Sequence, residues 1–559
     1  MTNKAPLFLL SSLICILILN CCKPRDIELP SDKGITFRVT GIEEGGTTEL
    51  LGSIKGRNTE NPDRLSIHRE IRNVKGLDID LIIEENAVNN LALAKTASSS
   101  PISDNTVFFI MLFEADGNGN AVKFKYSVKS TGNGPTIPFP ANRNTQYRWF
   151  AYSFNSAEDF RQPIVESPIL DINSSSVRDG SELLYATGVI TTSNDPNAAN
   201  QVPITFKRMV SAIRFEIDAR GVFSSIKDLQ FDFPASNNGF RNGKFSLRNG
   251  VFTETSDAEQ FSRSAWLDHI ADTIPTGWVK YQQLLTVPNG EPMNFQAILK
   301  NLTITSQTIT PGNPTAITFA DRNYGVPTAG ILFDFPDFTP TAGKRYTIKL
   351  RLKENPITAG GTQWARGNLT YVANSPENKY RFWYDNSFIK NVNGGMNNFI
   401  ERDYFDTRPP RGEPQAPPSN WDPCALVYPE KTWRLPTEAE FKRLGEDAES
   451  HDRHRVDQEN SQGWYGSWGN RSSIGPPRYK NNDLNFVAAG YRDRKTRALQ
   501  KFNYRGFGTF SADEGFFKTS DTSKFFHIDY GGSIIGFDLG IRITTATDGR
   551  GVNVRCVRR

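Results

Sequence analysis

Alternation of apolar and polar residues is the feature that most constrains how this chain folds. In GITFRVTGI (residues 34–42) and KRYTIKLRLK (344–353), apolar residues recur at every second position. A β-strand points successive side chains to opposite faces, so such segments are predicted to be strands with one buried face and one wet face. No stretch of comparable length before residue 430 has a helical period, and turn-rich segments separate the strands. Residues 34–355 are therefore predicted to be all-β, as two sandwiches with a break near residues 192–201.

The charge and length of the chain limit its partners and its organisation. Its 559 residues include 65 Lys and Arg against 61 Asp and Glu, which leaves a formal net charge of +4. That excess is too small to predict binding to nucleic acid, so no nucleic acid is expected among the partners. The length predicts about three or four domains, each large enough for its own hydrophobic core.

The first residues indicate export. The segment MTNKAPLFLLSSLICILILNCC has one early charge at Lys4 and an apolar run over residues 7–19 that ends close to two cysteines. The run is shorter than the roughly 18 to 20 residues that a membrane-spanning helix requires, which favours an export signal over residues 1–20. Because the run stops at cysteine, it resembles a bacterial lipoprotein signal, and the resemblance implies lipidation of Cys21, with Cys22 as the alternative. An ordinary secretory signal with incidental cysteines is the other reading.

Two cysteines remain for the folded part of the chain. Of the five in the sequence, Cys15, Cys21 and Cys22 belong to the predicted signal, which leaves Cys424 and Cys556. An exported protein enters an oxidising compartment, so one disulfide between these two residues is expected.

A family resemblance adds a topology to this pattern. The segment GVITTSNDPNAANQVPITFKRMVSAIRFEID (188–218) is preceded by ELLYATG and followed later by TAGKRYTIKLRLK (341–353). Earlier in the chain, TVFFIMLFEADGNGNAVKFKYSV (106–128) is followed by NRNTQYRWFAYSFNS (142–156). The order of these segments behind a lipoprotein signal resembles the fimbrillin superfamily of Bacteroidota surface pilins. The resemblance implies two transthyretin-like β-sandwich domains.

The same resemblance implies a maturation pathway. In that family a lipidated precursor reaches the outer membrane, an Arg-specific protease removes its first strand, and the vacated groove accepts a strand from another subunit by β-strand addition. On this sequence the removable strand is GITFRVTGI, within a propeptide of residues 21–57. Arg57 is the first choice for the cleavage site and Arg64 the second. The two sandwiches are then predicted over residues 58–195 and 196–355.

Residues 356–559 form a third predicted domain of a different kind. Six of the nine tryptophans lie between Trp364 and Trp468. The segments QWARGNLTY, DPCALVYPEKTWRLPTEAEFKRL and VNVRCVRR occur there in that order and resemble the FISUMP-type domain, which is related in fold to C-type lectins. An α+β C-type-lectin-like domain is therefore expected, with Thr437 and Glu440 as a capping box that starts its helix.

Other candidate sites carry weaker signals. DGNGN (116–120) begins like a calcium loop but lacks the glycine and the glutamate that such a loop requires, so it is predicted to be a tight hairpin turn. His451 and His454 stand three apart with no third ligand at a recognisable spacing, which favours a solvated helix end over a metal site. No metal and no cofactor are predicted. Trp464 and Trp468 are candidates for a binding face, with core packing as the alternative role for each.

The resemblance implies a function at the cell surface. The first hypothesis is a fimbrial accessory subunit, at the tip, that mediates cell adhesion and biofilm formation and binds a protein or glycan ligand on a host or bacterial surface. Its expected partners are other fimbrial subunits and, through the lipid anchor of the precursor, the outer membrane. The alternative is an outer-membrane surface lipoprotein that binds glycans. An enzyme is not expected, because no catalytic motif stands out and the two remaining cysteines are assigned to the disulfide.

Overall fold

The protein is built mainly from β-strands, which confirms the predicted mainly β fold class. The described residues contain one α-helix, α1 (Glu438–Glu446), and one 3-10 helix (Pro423–Leu426). A computed structural model describes residues 33–43, 66–74, 77–85, 99–132, 134, 138–163, 165, 169–172, 182–233, 239–257, 266–271, 274–310, 313–323, 330–371, 379–382, 405, 421–446, 451–455, 464–468, 484–487, 490–493, 496, 499–500, 513–533, 536–546 and 550–559.

The first twenty-one strands of the described residues form four sheets, and the order of the strands in each sheet differs from their order in the chain. The strands are β1 (Ile35–Glu43), β2 (Ser66–Val74), β3 (Leu77–Glu85), β4 (Ser99–Ser100), β5 (Val107–Ala115), β6 (Ala121–Thr131), β7 (Pro138–Phe139), β8 (Gln146–Ser153), β9 (Ile169–Ile172), β10 (Leu184–Thr191), β11 (Asn200–Arg208), β12 (Ser211–Gly221), β13 (Ser225–Asp232), β14 (Arg241–Ser246), β15 (Val251–Asp257), β16 (Leu267–Asp268), β17 (Val279–Thr286), β18 (Met293–Thr310), β19 (Asn313–Asn323), β20 (Ile331–Phe338) and β21 (Arg345–Glu354).

Eight of these strands form the first sheet. Their order is β4-β1-β11-β10-β8-β5-β6, and β7 also pairs with β1. Apolar side chains of β1 and β11 meet those of β5 and β8 in one core, where Ile35, Ile204 and Leu112 have no solvent exposure. We call this unit the first sandwich; its strands share this core.

The second and third sheets form the second sandwich. The second sheet has the order β16-β17-β12-β21-β3-β2, and the third has the order β13-β18-β19 with β20 beside β18. Their facing side chains build a shared core, in which Phe215, Ile348 and Leu81 come from the second sheet, and Ile304 and Phe335 from the third. Packing of two sheets through their apolar faces is the expected outcome of strict alternation.

The two sandwiches do not follow the predicted division of the chain between residues 195 and 196. β2 and β3 lie before that boundary but extend the second sheet, where β3 pairs with β21. β11 lies after the boundary but pairs with β1 and β10 in the first sheet. Alternation identifies a strand but not its partner, because pairing joins segments that are far apart in sequence.

A fourth sheet connects the two sandwiches. Its order is β15-β14-β9. Phe109, Met111 and Phe150 on the outer face of the first sheet pack in one buried cluster with Phe245 of β14 and Leu285 of β17. The first sheet therefore has apolar contacts on both faces. This third buried cluster, separate from the cores of the two sandwiches, joins the first sheet to β14 and β17.

The C-terminal module, residues 356–559, combines α1 with short strands. Phe441 and Leu444 of α1 are buried in one cluster with Trp364 and Phe486. The C-type-lectin-like fold of this module stays a prediction. The strands are β22 (Ile357–Ala359), β23 (Thr362–Trp364), β24 (Leu369–Tyr371), β25 (Tyr380–Phe382), β26 (Trp433–Arg434), β27 (His451–Arg455), β28 (Trp464–Trp468), β29 (Leu484–Val487), β30 (Tyr491–Asp493), β31 (Leu499–Gln500), β32 (Asp513–Lys518), β33 (Lys524–Ser533), β34 (Gly536–Thr545), β35 (Arg550–Gly551) and β36 (Val557–Arg558).

The second sheet departs from the expectation of one buried and one wet face. On its polar side, Asp78, Asp80 and Asp218 are exposed by only 2%, 3% and 0%. The C-terminal module provides cover, because Arg558 forms an ion pair with Asp78 and Tyr428 donates a hydrogen bond to Asp218. The polar side of this sheet is therefore an interface within the chain.

Candidate functional site

The predicted removable strand, β1, lies inside the first sheet. It runs parallel to β11, with Cα partners from Ile35 and Asn200 at one end to Ile42 and Phe206 at the other. The register shifts by one residue before Gly41, whose φ of 140° favours glycine. β4 and β7 pair antiparallel with the other edge of β1. Main-chain pairing on both edges therefore holds this strand.

Apolar side chains anchor β1 in the core of the first sandwich. Ile35, Phe37 and Ile42 are all less than one tenth exposed. The ring of Phe37 meets the rings of Phe139 and Trp149 edge-on, with centroids 5.1 and 5.8 Å apart. Sequence reasoning did not assign Phe139 and Trp149 to this site. A signal exists for Trp149, because it begins the continuous apolar run WFAY (149–152), which is typical of a strand that is buried on both faces.

Polar contacts fix the register of β1 against β11. The Thr40 hydroxyl lies 2.9 Å from the Ile204 carbonyl oxygen, to which it donates, and 2.7 Å from the Thr205 hydroxyl. At the other end, the Asn200 side-chain amide donates to the Gly34 carbonyl at 3.1 Å. A strand that replaces β1 has to form hydrogen bonds at these positions and also fill the apolar contacts.

The predicted maturation sites lie outside the described residues. This holds for the lipidation site Cys21 and its alternative Cys22, and for the cleavage site Arg57 and its alternative Arg64. These four residues stay predictions. The cleavage candidates fall between β1 and β2, which belong to different sheets.

In the C-terminal module the structure joins Cys424 to Cys556. The S–S distance is 2.06 Å, the Cα atoms are 5.7 Å apart, and 132 positions separate the two residues. Both cysteines are fully buried in a cluster with Trp433 and Leu435. The bridge connects the 3-10 helix to the segment before β36, so it links the start of the DPCALVYPEKTWRLPTEAEF stretch to the last strand.

The residues after the bridge form the predicted capping box. The Glu440 N–H donates to Thr437 Oγ1 at 3.2 Å, and the Thr437 N–H donates to Glu440 Oε2 at 2.8 Å. Arg434 donates to both carboxylate oxygens of Glu440. Burial works to raise the pKa of Glu440, but the hydrogen bonds from Arg434 and Thr437 outweigh it and hold that pKa below its usual value.

Asp422 ties the 3-10 helix to β26. Its carboxylate accepts from the Cys424 N–H at 3.0 Å and from the Leu435 N–H at 3.1 Å. Burial raises the pKa of Asp422, although these two hydrogen bonds oppose the shift. The stretch around Cys424 is thus a local framework of caps and ion pairs, and its contacts serve the fold of the module.

The other candidates from the sequence fall in two places. Trp464 and Trp468 are the end residues of β28, which pairs with β27 and β29, and their role in a binding face stays a prediction. Asp116 starts the tight turn between β5 and β6 and accepts from the N–H groups of Asn118 and Asn120 at 3.0 and 2.9 Å. The predicted hairpin turn is confirmed.

The described ranges contain neither a cluster of metal ligands nor a helix suited to span a membrane. No group of three or more His, Cys, Asp or Glu side chains in them is arranged to hold a metal ion. None of the helices there combines the length and the apolar character that a transmembrane span needs.

Comparison with known proteins finds a family match over part of the chain. Residues 95–363 match the model of the fimbrillin-like family, a match that begins after β3 and ends within β23. No curated protein sequence matches the chain.

Two similar solved structures come from Bacteroides fragilis and Porphyromonas gingivalis. A Bacteroides fragilis protein, described as a candidate in cell adhesion, is 12% identical over 58% of this chain and 98% of its own, with a TM-score of 0.28. The fimbrial anchor protein Mfa2 of Porphyromonas gingivalis is 10% identical over 38% of this chain and 74% of its own, with a TM-score of 0.20. Such TM-scores carry no argument, so the assignment depends on the family match: residues 95–363 of the chain are fimbrillin-like.

Proposed function

We propose that this protein is an accessory subunit at the tip of a surface fimbrium, where it mediates cell adhesion and biofilm formation. Its precursor is lipidated at Cys21, with Cys22 as the alternative, and reaches the outer membrane. Cleavage after Arg57, or after Arg64, then removes β1 and opens a groove for the donor strand of another subunit. The C-terminal module, with Trp464 and Trp468 as candidate contacts, binds a protein or glycan ligand.

The observation that carries the proposal is the asymmetry between β1 and β21. β1 is paired on both edges and buried, yet a cut between residues 43 and 66 severs its link to the rest of the folded chain. Its removal leaves a groove lined by apolar side chains, among them Phe139, Trp149 and Phe206. The protein is therefore suited to accept a strand.

β21 is not suited to be donated. It lies between β12 and β3 in the second sheet, and its residues Ile348 and Leu350 are buried in the core of the second sandwich. Only two residues separate its end at Glu354 from β22, which starts at Ile357 and pairs with β23. Detaching this segment would open two cores at once. A subunit that accepts a strand but donates none ends a filament.

N-terminal sequencing of the protein recovered from the cell surface tests the proposal. The expected first residue is Asn58, or Leu65 if Arg64 is cleaved. Protein that still carries β1 and its lipidated cysteine would contradict strand exchange and favour the alternative, an outer-membrane lipoprotein that binds glycans. A Cys21→Ala variant that still incorporates labelled palmitate would move the lipid to Cys22.

Immunogold labelling tests the position in the filament. An antibody against the C-terminal module is expected to mark one end of each fimbrium. Labels along the whole length would contradict the tip position without affecting the proposal that β1 is removed.

A further inference from the structure

The polar side of the second sheet is a contact surface for the C-terminal module. Asp218 on β12 has no solvent exposure. Its carboxylate accepts from Arg220 Nε at 3.0 Å and Nη2 at 2.8 Å, and from the Tyr428 hydroxyl at 2.6 Å. Arg220 also donates to the Tyr428 hydroxyl at 2.7 Å and lies over its ring. One side chain of the module therefore completes a buried ion pair of the sandwich.

The charges of this contact depend on one another. Burial works to raise the pKa of Asp218, but the hydrogen bonds from Arg220 and Tyr428 outweigh it and keep that pKa low. Burial also raises the pKa of Tyr428, and the neighbouring Asp218 carboxylate raises it further, so the hydroxyl keeps its proton and donates. Removal of the module would leave the Asp218 carboxylate without one of its donors.

A second contact involves β3. Asp78 on β3 forms an ion pair with Arg558 on β36, and both side chains are less than one tenth exposed. Two positions along β3, Asp80 is held at 2.7 Å by Lys353 and at 3.1 Å by Arg351. The Arg558 guanidinium also faces the ring of Trp433, at 5.8 Å. β36 therefore contacts the polar face of the second sheet at β3.

Apolar side chains complete the contact. Phe223 and Trp278 extend from loops of the second sandwich, yet both are buried in the cluster that contains the two cysteines of the module. The Phe223 ring meets Phe382 edge-on at 5.5 Å, and Arg381 lies over Trp278 at 5.1 Å. The sandwich thus supplies part of the core of the module.

The backbone at Phe223 adopts a conformation that favours glycine. Its φ is 58°, in the left-handed region that bulky residues rarely occupy. Two residues earlier, a Cβ at Gly221 would come within 2.3 Å of the Leu352 carbonyl oxygen, so the turn passes close to β21. A strained phenylalanine persists only where its surroundings hold it, and here its ring fills the core of the module.

We infer that the second sandwich and the C-terminal module are one cooperative folding unit, latched by these contacts, and that the module is a fixed extension of the sandwich instead of a domain on a hinge. We call the contact the latch; its members are Asp78, Asp218, Arg220, Phe223, Trp278, Tyr428 and Arg558. An independent domain has its own core and few contacts across its boundary. The latch instead combines a shared core with one buried ion pair that crosses the boundary, Asp78–Arg558, and a second, Asp218–Arg220, that Tyr428 of the module completes.

Native-state hydrogen exchange on the full chain tests the latch. In one cooperative unit, the slowest amides of β12 and of β26 exchange through the same opening, so both should show the same free energy of opening. Tyr428→Phe removes a hydrogen bond to a buried carboxylate and is expected to accelerate exchange in both segments by roughly ten- to a hundredfold. Amides of β8 in the first sandwich should be unchanged.

Two further variants keep the test decisive. Tyr126→Phe, on the edge strand of the first sheet, makes the same chemical change outside the latch and should leave β12 and β26 unaffected. Asp78→Asn should act like Tyr428→Phe, although its position on β3 is in the sandwich. Different opening energies for β12 and β26 in the unmodified protein, or acceleration confined to the module in the Tyr428→Phe variant, would overturn the inference.

Discussion

Truncation of Phe37 measures how tightly the groove holds β1. The ring is 6% exposed and contacts two other aromatic rings, Phe139 and Trp149. Replacing a buried phenylalanine by alanine typically costs about 3–5 kcal/mol. At 1.4 kcal/mol per factor of ten, Phe37→Ala is expected to weaken retention of the cleaved strand by roughly a hundredfold to several thousandfold.

The assay uses purified precursor that has been cut by an Arg-specific protease. After the cut, the peptide that contains β1 is held only by non-covalent contacts, and its dissociation can be followed by size-exclusion chromatography and mass spectrometry. The comparison is clean because the substituted residue leaves with the peptide. The remaining protein is identical for the variant and the unmodified chain, so the difference reports the contacts between the strand and the groove.

Arg38→Ala is the matched control. Arg38 is the next residue along β1 and is exposed, so its truncation should change retention little. If Phe37→Ala releases the strand no faster than Arg38→Ala does, the apolar anchor is not what holds β1, and the proposed groove loses its physical basis.

Three further predictions concern the C-terminal half. The double variant Cys424→Ala and Cys556→Ala opens a loop of 132 positions and should lower the free energy of unfolding of the unit that the module forms with the second sandwich by about 2–5 kcal/mol, measured by guanidinium titration. Labelling of both thiols in the native protein would contradict the bridge. Glu440→Ala removes the carboxylate that accepts from the Thr437 N–H in the capping box and that pairs with Arg434, and should cost about 1–2 kcal/mol in the same titration, with a smaller loss for Glu440→Gln. The pKa of Asp218 is lower in the folded protein than in the unfolded chain, so the stability that its carboxylate contributes is present above about pH 4 and is lost as the pH falls through the folded pKa. The free energy of unfolding of Asp218→Asn should lack this acid-dependent part. If the variant and the unmodified protein show the same dependence of that free energy on pH, the assignment is refuted.

The sequence carried enough information for the strands and for the helix start. Alternation located β1 and β21, because each buries every second side chain against one core. The capping box at Thr437 and Glu440 was also predictable, since its hydrogen bonds join residues only three positions apart. These features depend on local patterns.

Features that depend on distant contacts were not predictable from the same patterns. Asp78 and Asp80 alternate with leucine and isoleucine in LDIDLIIEE, a pattern that predicts a wet face, but β3 is buried on both sides. The sequence of that segment does not predict its contact with Arg558, which lies 480 positions away. Residues 451–455 form β27 and not the predicted helix end. This segment contains no apolar residues, so it has no hydrophobic periodicity from which a helix or a strand could be predicted.

The ion pair between Asp78 and Arg558 also constrains how this sequence can vary over time. The two residues are 480 positions apart, and each occupies a site where an unpaired charge would be costly. Loss of either charge alone is therefore disfavoured, whereas exchange of both for an apolar pair is tolerable. Related proteins that retain the C-terminal module should show correlated substitutions at these two positions, and relatives without the module should carry an uncharged residue, or a solvated one, where Asp78 stands.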